Sequence, residues 1–268
     1  MNGNRLCCAA ALVLLASALA VGFEKPAASS APLRYSLTLV LSRGDRITET
    51  TVEDDRVEWK LPKRRLEDFR RSGIVIDEEH RTTTQARAVV VAATAHQASL
   101  HGSASLETLD IPRNLRTTVQ SPFSMMIDAG NTRAAGRSYS LQEAAMVQLP
   151  PEPLPIGHSW TTRETVLTTL GSGEATLTHT LVSAGKLLKI RVHGGGAITG
   201  VEYKLPKLLP GSMSIDGFAW YDPSSKLITR ERYAIDNRLL KPDGAETIGF
   251  EEKLEVAVDT RLLRQPSP

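Results

Sequence analysis

Few residues of this sequence have the types and spacing that enzyme chemistry requires. Ser159 follows His158, but the pair lacks the second glycine of a nucleophile elbow, and adjacent residues of an extended strand point to opposite faces. Ser183 and Lys186 have the Ser-x-x-Lys spacing of penicillin-recognising enzymes, which works on a helix, whereas here it falls in a predicted turn between strands. The sequence therefore contains no convincing catalytic constellation, and we expect a non-enzymatic protein.

Metal and phosphate sites are not indicated either. His96 and His101 have no metal-ligand partner at helical spacing, and His80 lies in a charged segment that we expect to be exposed. The glycine run at 194–196 is followed by another strand-like run and not by a helix, so it lacks the form of a phosphate-binding loop. We expect no metal ion and no cofactor.

Three polar residues share strand faces that are otherwise apolar: His179, Glu231 and Glu252. If these faces line a cavity, the three side chains could hold the polar end of an amphiphilic ligand, because an isolated carboxylate is costly in a dry core. The alternative is a position near a sheet edge or a bulge, which would return each side chain to water. We favour the alternative and keep the three residues as the candidate ligand-lining set.

The elements that must position these residues are mainly strands, since alternation of apolar and polar residues dominates the chain after residue 32. The alternation is clearest from Leu33 to Leu41 and from Ile248 to Leu262. We expect further strands at 47–53, 56–61, 84–94, 97–108, 116–127, 174–183, 187–193, 198–205, 213–221 and 227–236. Turn residues at 171–173, 184–186, 194–196 and 222–225 separate the later strands.

The best helix candidate is Pro62 to Ser72, in which Leu66, Phe69 and Arg70 are spaced for one face. Gly73 follows it as a stop signal. The pattern therefore predicts a mainly β protein, with a large curved antiparallel sheet and one or two short helices. The sheet is expected to be a half-barrel or a β-meander of two halves.

An apolar run from Leu6 to Phe23 indicates that the protein is exported. Ala18 and Ala20 give the small-x-small form that signal peptidase accepts, so we expect a signal peptide at 1–20. The alternative is an uncleaved anchor, because a run of this length can just span a hydrocarbon core. Both cysteines, at positions 7 and 8, precede the cleavage point. This position argues against a lipoprotein and leaves a cysteine-free mature chain.

We expect the mature chain to be soluble, in the periplasm or outside the cell, because no second apolar run approaches membrane-spanning length. A flexible leader is predicted at 21–32, a single β-rich domain of two halves at 33–263, and a loose tail at 264–268. The net charge of +2 and the acids interleaved with the basic cluster at 63–71 do not indicate a nucleic-acid partner.

The two predicted halves join near 148–160, where the chain reads Leu-Pro-Pro-Glu-Pro-Leu-Pro-Ile-Gly-His-Ser-Trp from residue 149. This segment resembles the linker of a group of bacterial exported β-rich proteins of unknown function. In that group a Leu-Pro stretch precedes a Gly, an acid, a Ser and a Trp, and His158 here replaces the acid. The group resembles, more distantly, the periplasmic lipoprotein carriers, which implies a curved antiparallel sheet wrapped part-way around helices and an apolar cavity.

Two functions from different classes are compatible with these features. The first is an exported, non-enzymatic binding protein that carries a lipid or another apolar ligand on the concave face of its sheet. The second is an envelope structural or assembly factor that binds a protein partner by strand addition at the sheet edges. A bound apolar ligand would favour the first, and a dry core with a stable protein partner would favour the second.

Overall fold

The computed structural model describes residues 32–76, 78–135, 147–167, 171–200, 209–243 and 246–264. The predicted signal peptide at 1–20, almost all of the leader at 21–32, and the tail after Arg264 lie outside the described residues. The chain divides after Pro32 into a first unit, which lies almost entirely outside the described residues, and a second, compact unit, Leu33–Pro268. The fold and the site both belong to the second unit.

The second unit consists almost entirely of strands, with one helix among its described residues. In chain order they are β1 (Arg34–Tyr35), β2 (Arg46–Lys60), α1 (Lys63–Arg71), β3 (Glu78–Ala93), β4 (Gln97–Asp110), β5 (Leu115–Asp128), β6 (Arg133–Ala135), β7 (Leu154–Pro155), β8 (Ser159–Leu167), β9 (Gly171–Ala184), β10 (Leu188–Gly200), β11 (Leu209–Asp222), β12 (Leu227–Asp243) and β13 (Glu246–Leu263).

Eleven of these strands form one antiparallel sheet with the order β6-β5-β4-β3-β2-β13-β12-β11-β10-β9-β8. The first long strand, β2, pairs with the last, β13, so a meander of consecutive hairpins extends on each side of this central pair. β1 and β7 form a separate two-stranded sheet. The predicted mainly β, antiparallel fold is confirmed.

Alternation accounts for the long central strands. Along β13 the buried side chains of Phe250, Leu254 and Val258 share one face of the sheet, while the exposed Lys253 and Glu255 occupy the other. The same alternation runs through all of β2, which joins the two strands predicted at 47–53 and 56–61. The intervening acids do not interrupt the strand, because Asp54 lies on the outer face and Asp55 on the buried face.

The predicted helix is confirmed as α1, within one residue at each end. Pro62 precedes the first turn of the helix, where the lack of a proline N–H removes no hydrogen bond of the helix. Gly73 follows the helix with a φ of 67°. Leu66 and Phe69 pack against the hydrophobic core, while the basic residues of the helix remain largely exposed.

The predicted strand from Leu33 to Leu41 is wrong beyond the two residues of β1. Residues 37–41, which we call the strap, are irregular, yet Leu37, Leu39 and Leu41 are all buried. The alternation therefore identified the buried face of this segment but not its pairing. The N–H of Leu39 donates to the carbonyl oxygen of Ala129 at 2.9 Å, which lies in a loop and not in a neighbouring strand.

The glycine runs predicted as turns at 171–173 and 194–196 are also wrong, since they lie inside β9 and β10. A side chain at 194, 195 or 196 would collide with a carbonyl oxygen of a flanking strand, those of Thr176, Met213 and Glu174 respectively. The glycines therefore permit a close backbone approach within the sheet instead of reversing the chain. The turns predicted at 184–186 and 222–225 are confirmed within one residue, at 185–187 and 223–226.

The strap shows how strongly the sheet curves. Leu39 is bonded to Ala129 after β5, and the next residue, Val40, donates its N–H to the carbonyl oxygen of Lys226 before β12 at 3.4 Å. Five strand spacings separate β5 from β12, which is about 24 Å in a flat sheet. Adjacent strap residues bridge these two places, so the sheet bends around the strap and encloses its leucines.

No helix among the described residues is both long enough and apolar enough to cross a membrane.

Candidate functional site

A small cavity lies between the strap and the concave face of the sheet. It has a volume of about 30 Å³, and its apolar lining includes Leu39 and Leu41 of the strap and Ala88 of β3. Its polar lining consists of Glu49, Asn131, Arg133, Glu231 and Thr260. A cavity of this size holds about one water molecule. Polar groups that converge on an apolar-lined space make it the candidate binding site.

Glu231 is one of the two carboxyl groups at this cavity. It lies on β12 with only 3% of its surface exposed, and Tyr233, two residues along the same strand face, donates its hydroxyl to Glu231 at 2.7 Å. Burial raises the pKa of Glu231 to about 7, against the opposing effects of Arg133 and the Tyr233 hydrogen bond. Burial, together with the neighbouring carboxylate, also raises the pKa of Tyr233.

Arg133 and Glu49 form a buried ion pair at the same cavity. Two guanidinium nitrogens of Arg133 face the two carboxylate oxygens of Glu49 at 3.4 and 3.1 Å. Burial acts to lower the pKa of Arg133, but the charge and hydrogen bonds of Glu49 and the charge of Glu231 outweigh it. Thr260 completes the group by donating its hydroxyl to Glu49 at 3.3 Å.

This ion pair exists because the sheet is curved. Arg133 is on β6 and Glu49 is on β2, four strand spacings apart, or about 19 Å in a flat sheet. Their side chains meet only because both project into the concavity. We call Glu49, Arg133, Glu231, Tyr233 and Thr260 the cross-sheet cluster.

His179 lies in a second buried polar group, on neighbouring strands β8 and β9. The hydroxyl of Thr162 and Nε2 of His179 are 2.8 Å apart, and Trp160 stacks on the imidazole with ring centroids 5.2 Å apart. Burial lowers the pKa of His179 to about 4, so the imidazole is neutral at pH 7. Trp160 donates its indole N–H to the carbonyl oxygen of Gln148 at 2.7 Å. We call His179, Thr162 and Trp160 the histidine cluster.

Glu252 occupies a third position, on β13, with 1% of its surface exposed. Nδ2 of Asn237 on β12 donates to its carboxylate at 2.6 Å, and the two residues are direct cross-strand partners. Its register partner on β12 lies six residues beyond Glu231, or about 20 Å along the strand. Glu252 therefore does not reach the cavity beneath the strap.

All three predicted site residues are buried, so the favoured expectation that they return to water is wrong. They point inward because their strands keep strict alternation at these positions, and each finds a hydrogen-bonding partner within the protein. The structure nevertheless places them in three separate locations. Only Glu231 lines the candidate cavity, and whether any of the three contacts a ligand stays a prediction.

Sequence reasoning missed Glu49 and Arg133. Glu49 follows the same signal as Glu231, because it shares strand parity with Ile47 and Thr51, both on the inner face of β2. Arg133 lies outside every predicted strand, and its partner is 84 residues away in the chain. No local pattern could have identified that pair.

The groups at the cavity can recognise a polar group. The Tyr233 hydroxyl has a raised pKa, which makes it a poor nucleophile, and no Ser or Thr hydroxyl there is paired with a histidine base. Across the described ranges, no three His, Cys, Asp or Glu side chains are grouped as metal ligands. A guanidinium and two carboxylates can instead bind the polar end of a ligand.

Comparisons with known proteins give little guidance. No protein-family model matches the chain, and no curated protein matches it. Among solved structures, it is similar to Ail, the attachment invasion locus protein of Yersinia pestis, crystallised in complex with the heparin analogue sucrose octasulfate. That alignment covers 82% of this chain and 100% of Ail at 8% identity, with a TM-score of 0.19. A TM-score this low does not establish a shared fold.

Proposed function

We propose that this is an exported, non-enzymatic binding protein that holds an apolar or amphiphilic small molecule on the concave face of its sheet, beneath the strap. The observation that carries the proposal is the apolar-lined cavity on which Glu231, Arg133 and Glu49 converge. Buried ionisable groups beside an apolar space are a recurrent arrangement in ligand sites. Export is supported by the apolar run and small-x-small motif near the N-terminus.

The strap must move for such a ligand to bind. The cavity of about 30 Å³ is far below the roughly 300–1,000 Å³ of small-molecule sites. Leu39 and Leu41 of the strap line the cavity, and the N–H groups of Leu39 and Val40 bond the strap to opposite sides of the sheet. The hydroxyl of Tyr221 also accepts from the N–H of Thr38 at 3.1 Å and donates to its carbonyl oxygen at 2.8 Å. A ligand that replaces these leucines would exchange one apolar contact for another, so the main cost of opening is the loss of these hydrogen bonds.

The polar end of the ligand is expected to meet the cross-sheet cluster. Arg133 can bind a phosphate or carboxylate, and Glu231 can accept a hydrogen bond when ionised or donate one when protonated. Because Glu49 already neutralises Arg133, a neutral or zwitterionic head group fits the cluster better than a strongly charged one.

Native mass spectrometry of the protein purified from its own envelope, followed by organic extraction, tests this proposal. We expect a stoichiometric apolar adduct on the wild-type protein. The adduct should be lost in Ala88→Leu, which fills the cavity, and kept in Ala234→Leu, a matched change at an exposed position. A clean unliganded mass for the wild type would contradict the proposal and favour the protein-partner alternative.

A further inference from the structure

The outer, convex face of the sheet carries two aromatic side chains that are flanked by cations. Phe218 and Trp220 of β11 lie on this face and are half-buried. Their direct cross-strand partners on β10 and β12 are all cations: Lys189, Arg191, Arg230 and Arg232. We call these two aromatic residues and four cations the basic patch.

The cations of the basic patch lie over the rings. Nζ of Lys189 is 3.7 Å from the ring centroid of Phe218 and 5.6 Å from that of Trp220. The guanidinium carbon of Arg230 is 5.7 Å from the ring centroid of Trp220, and the two rings are 6.2 Å apart. These contacts hold positive charge beside an aromatic surface on the outside of the protein.

The charge of the outer face changes along the strands. On β2 and β10–β13, the half nearer the strap, from the row of Phe218 onward, adds Arg46 and Arg261 to the cations of the basic patch. Asp259 is the one described acid in this half, and Asp216 in the next row also pairs with the patch, at 3.4 Å. In the other half of these five strands the described acids outnumber the cations. The excess of positive charge is therefore confined to the end of the sheet at the strap.

Exposed aliphatic side chains lie at the same end. Leu263 is 62% exposed and is the strand partner of Arg46, whose other partner, Val89, is 41% exposed. Val40 of the strap is 44% exposed, and its N–H is bonded to Lys226 in the turn between β11 and β12. Cations and apolar side chains therefore lie side by side around the strap.

We propose that this end of the sheet docks on an anionic lipid surface, with the strap at the membrane. Arginine and lysine side chains attract anionic head groups, and tryptophan and aliphatic side chains enter the region between head groups and acyl chains. A convex face cannot enclose a small molecule, so it fits an extended partner. A soluble polyanion would match the cations but would leave Leu263 and Val89 in water. Docking needs only this charge and these side chains, so it does not rest on the ligand proposed above.

Cosedimentation with lipid vesicles, using protein purified from its own envelope, provides the test. We expect binding to vesicles that contain phosphatidylglycerol, weakening as salt is added, and little binding to vesicles of phosphatidylcholine alone. Lys189→Gln combined with Arg46→Gln should weaken the binding by about 30-fold. Neither of these two residues has an ion-pair partner in the described part of the chain.

The matched control removes two cations from α1, which follows the far end of β2. Arg64 and Arg65 are exposed on this helix. Arg64→Gln combined with Arg65→Gln changes the net charge by the same amount, so we expect binding within about twofold of the wild type.

Tryptophan emission locates the contact. Trp220 lies on the outer face, whereas Trp59 is buried and Trp160 stacks on His179. With vesicles whose acyl chains are brominated, we expect quenching of the wild-type emission that is absent in Trp220→Phe.

Three results would overturn the docking surface: no binding to phosphatidylglycerol vesicles, equal binding to both kinds of vesicle, or equal loss of binding in the two paired variants. Binding to soluble dextran sulfate without binding to vesicles would overturn the lipid partner and indicate an anionic glycan. None of these results bears on the apolar adduct, so the two proposals fail separately.

Discussion

The cross-sheet cluster and the histidine cluster are both buried polar groups on the concave face, but they are built differently. The first joins residues from β2, β6, β12 and β13, contains the Arg133–Glu49 ion pair and the ionisable Glu231, and borders a cavity. The second joins neighbouring strands, is neutral at pH 7 and is packed under an indole ring. Burial of a polar side chain is therefore not by itself a sign of a ligand site. The cross-sheet cluster differs from the histidine cluster because its charged groups border a cavity.

The largest expected effect is loss of the charge that holds the cross-sheet cluster together. Arg133→Met leaves Glu49 without its buried partner, so we expect a loss of about 3–5 kcal/mol in the free energy of unfolding, measured by urea titration. Arg230→Met, which removes an exposed guanidinium paired with Asp259, should cost less than about 1 kcal/mol. Equal effects of the two changes would show that the buried pair is not structurally important.

The two clusters should respond to pH in opposite directions. The pKa of Glu231 is raised from 4.5 to about 7, so the folded state keeps a proton that the unfolded state loses, and stability falls as pH rises through this window. The pKa of His179 is lowered from 6.5 to about 4, so the unfolded state binds the extra proton, and stability is lost as pH falls through that window.

Each contribution is about 3 kcal/mol across its window. Because the two windows overlap between about pH 4.5 and 6.5, the two contributions largely offset each other in the wild type. Unfolding free energies measured from pH 4 to pH 8 should therefore fall towards acid pH in Glu231→Gln, where only the His179 contribution remains, and towards neutral pH in His179→Gln, where only the Glu231 contribution remains. Identical pH profiles for the two variants would contradict the assignment of opposite protonation states.

Removing the partner of the imidazole should have a smaller effect. Thr162→Val leaves Nε2 of His179 buried without a hydrogen bond, which should cost about 1–2 kcal/mol. Thr161→Val is the matched control, because Thr161 is exposed on the same strand and should change stability by less than about 0.5 kcal/mol. Thermal unfolding of the two variants side by side measures the difference.

The smallest effect is expected from Tyr233→Phe, which removes one hydrogen bond from Glu231 and should cost about 1 kcal/mol. Because that hydrogen bond lowers the pKa of Glu231, the substitution should raise this pKa further. Carboxyl resonances followed by NMR during a pH titration report it directly. An unchanged or lower pKa would show that the hydroxyl does not act on the carboxylate.

The local sequence pattern predicted an element correctly where a single periodicity, of a strand or of a helix, extended over the whole segment. Strict alternation identified β13, and an apolar face followed by Gly73 identified α1. The strand predicted over the strap was wrong because the alternation there reflects burial of three leucines and not pairing with a neighbouring strand. The turn predicted at 194–196 was wrong because glycine is favoured both in turns and where two backbones approach closely within a sheet.

The candidate site could be predicted only in part. Parity indicated the inner face of β12 for Glu231, where the structure places it, although the favoured expectation was a return of its side chain to water. The ion pair of Arg133 with Glu49 depends on the curvature of the whole sheet, which brings together residues 84 positions apart. Curvature arises from cumulative twist and from glycine positions in several strands, so no single segment of sequence encodes it.

Amide hydrogen exchange with and without the neutral apolar probe N-phenyl-1-naphthylamine would test most directly whether a ligand enters beneath the strap. We expect the probe to speed exchange at Leu39 and Val40, whose bonds to Ala129 and Lys226 must open. The amide of Leu181, bonded to His158 at 3.0 Å near the histidine cluster, should be unaffected. Unchanged exchange in the strap, or a change centred on Leu181, would contradict the assignment of the binding site.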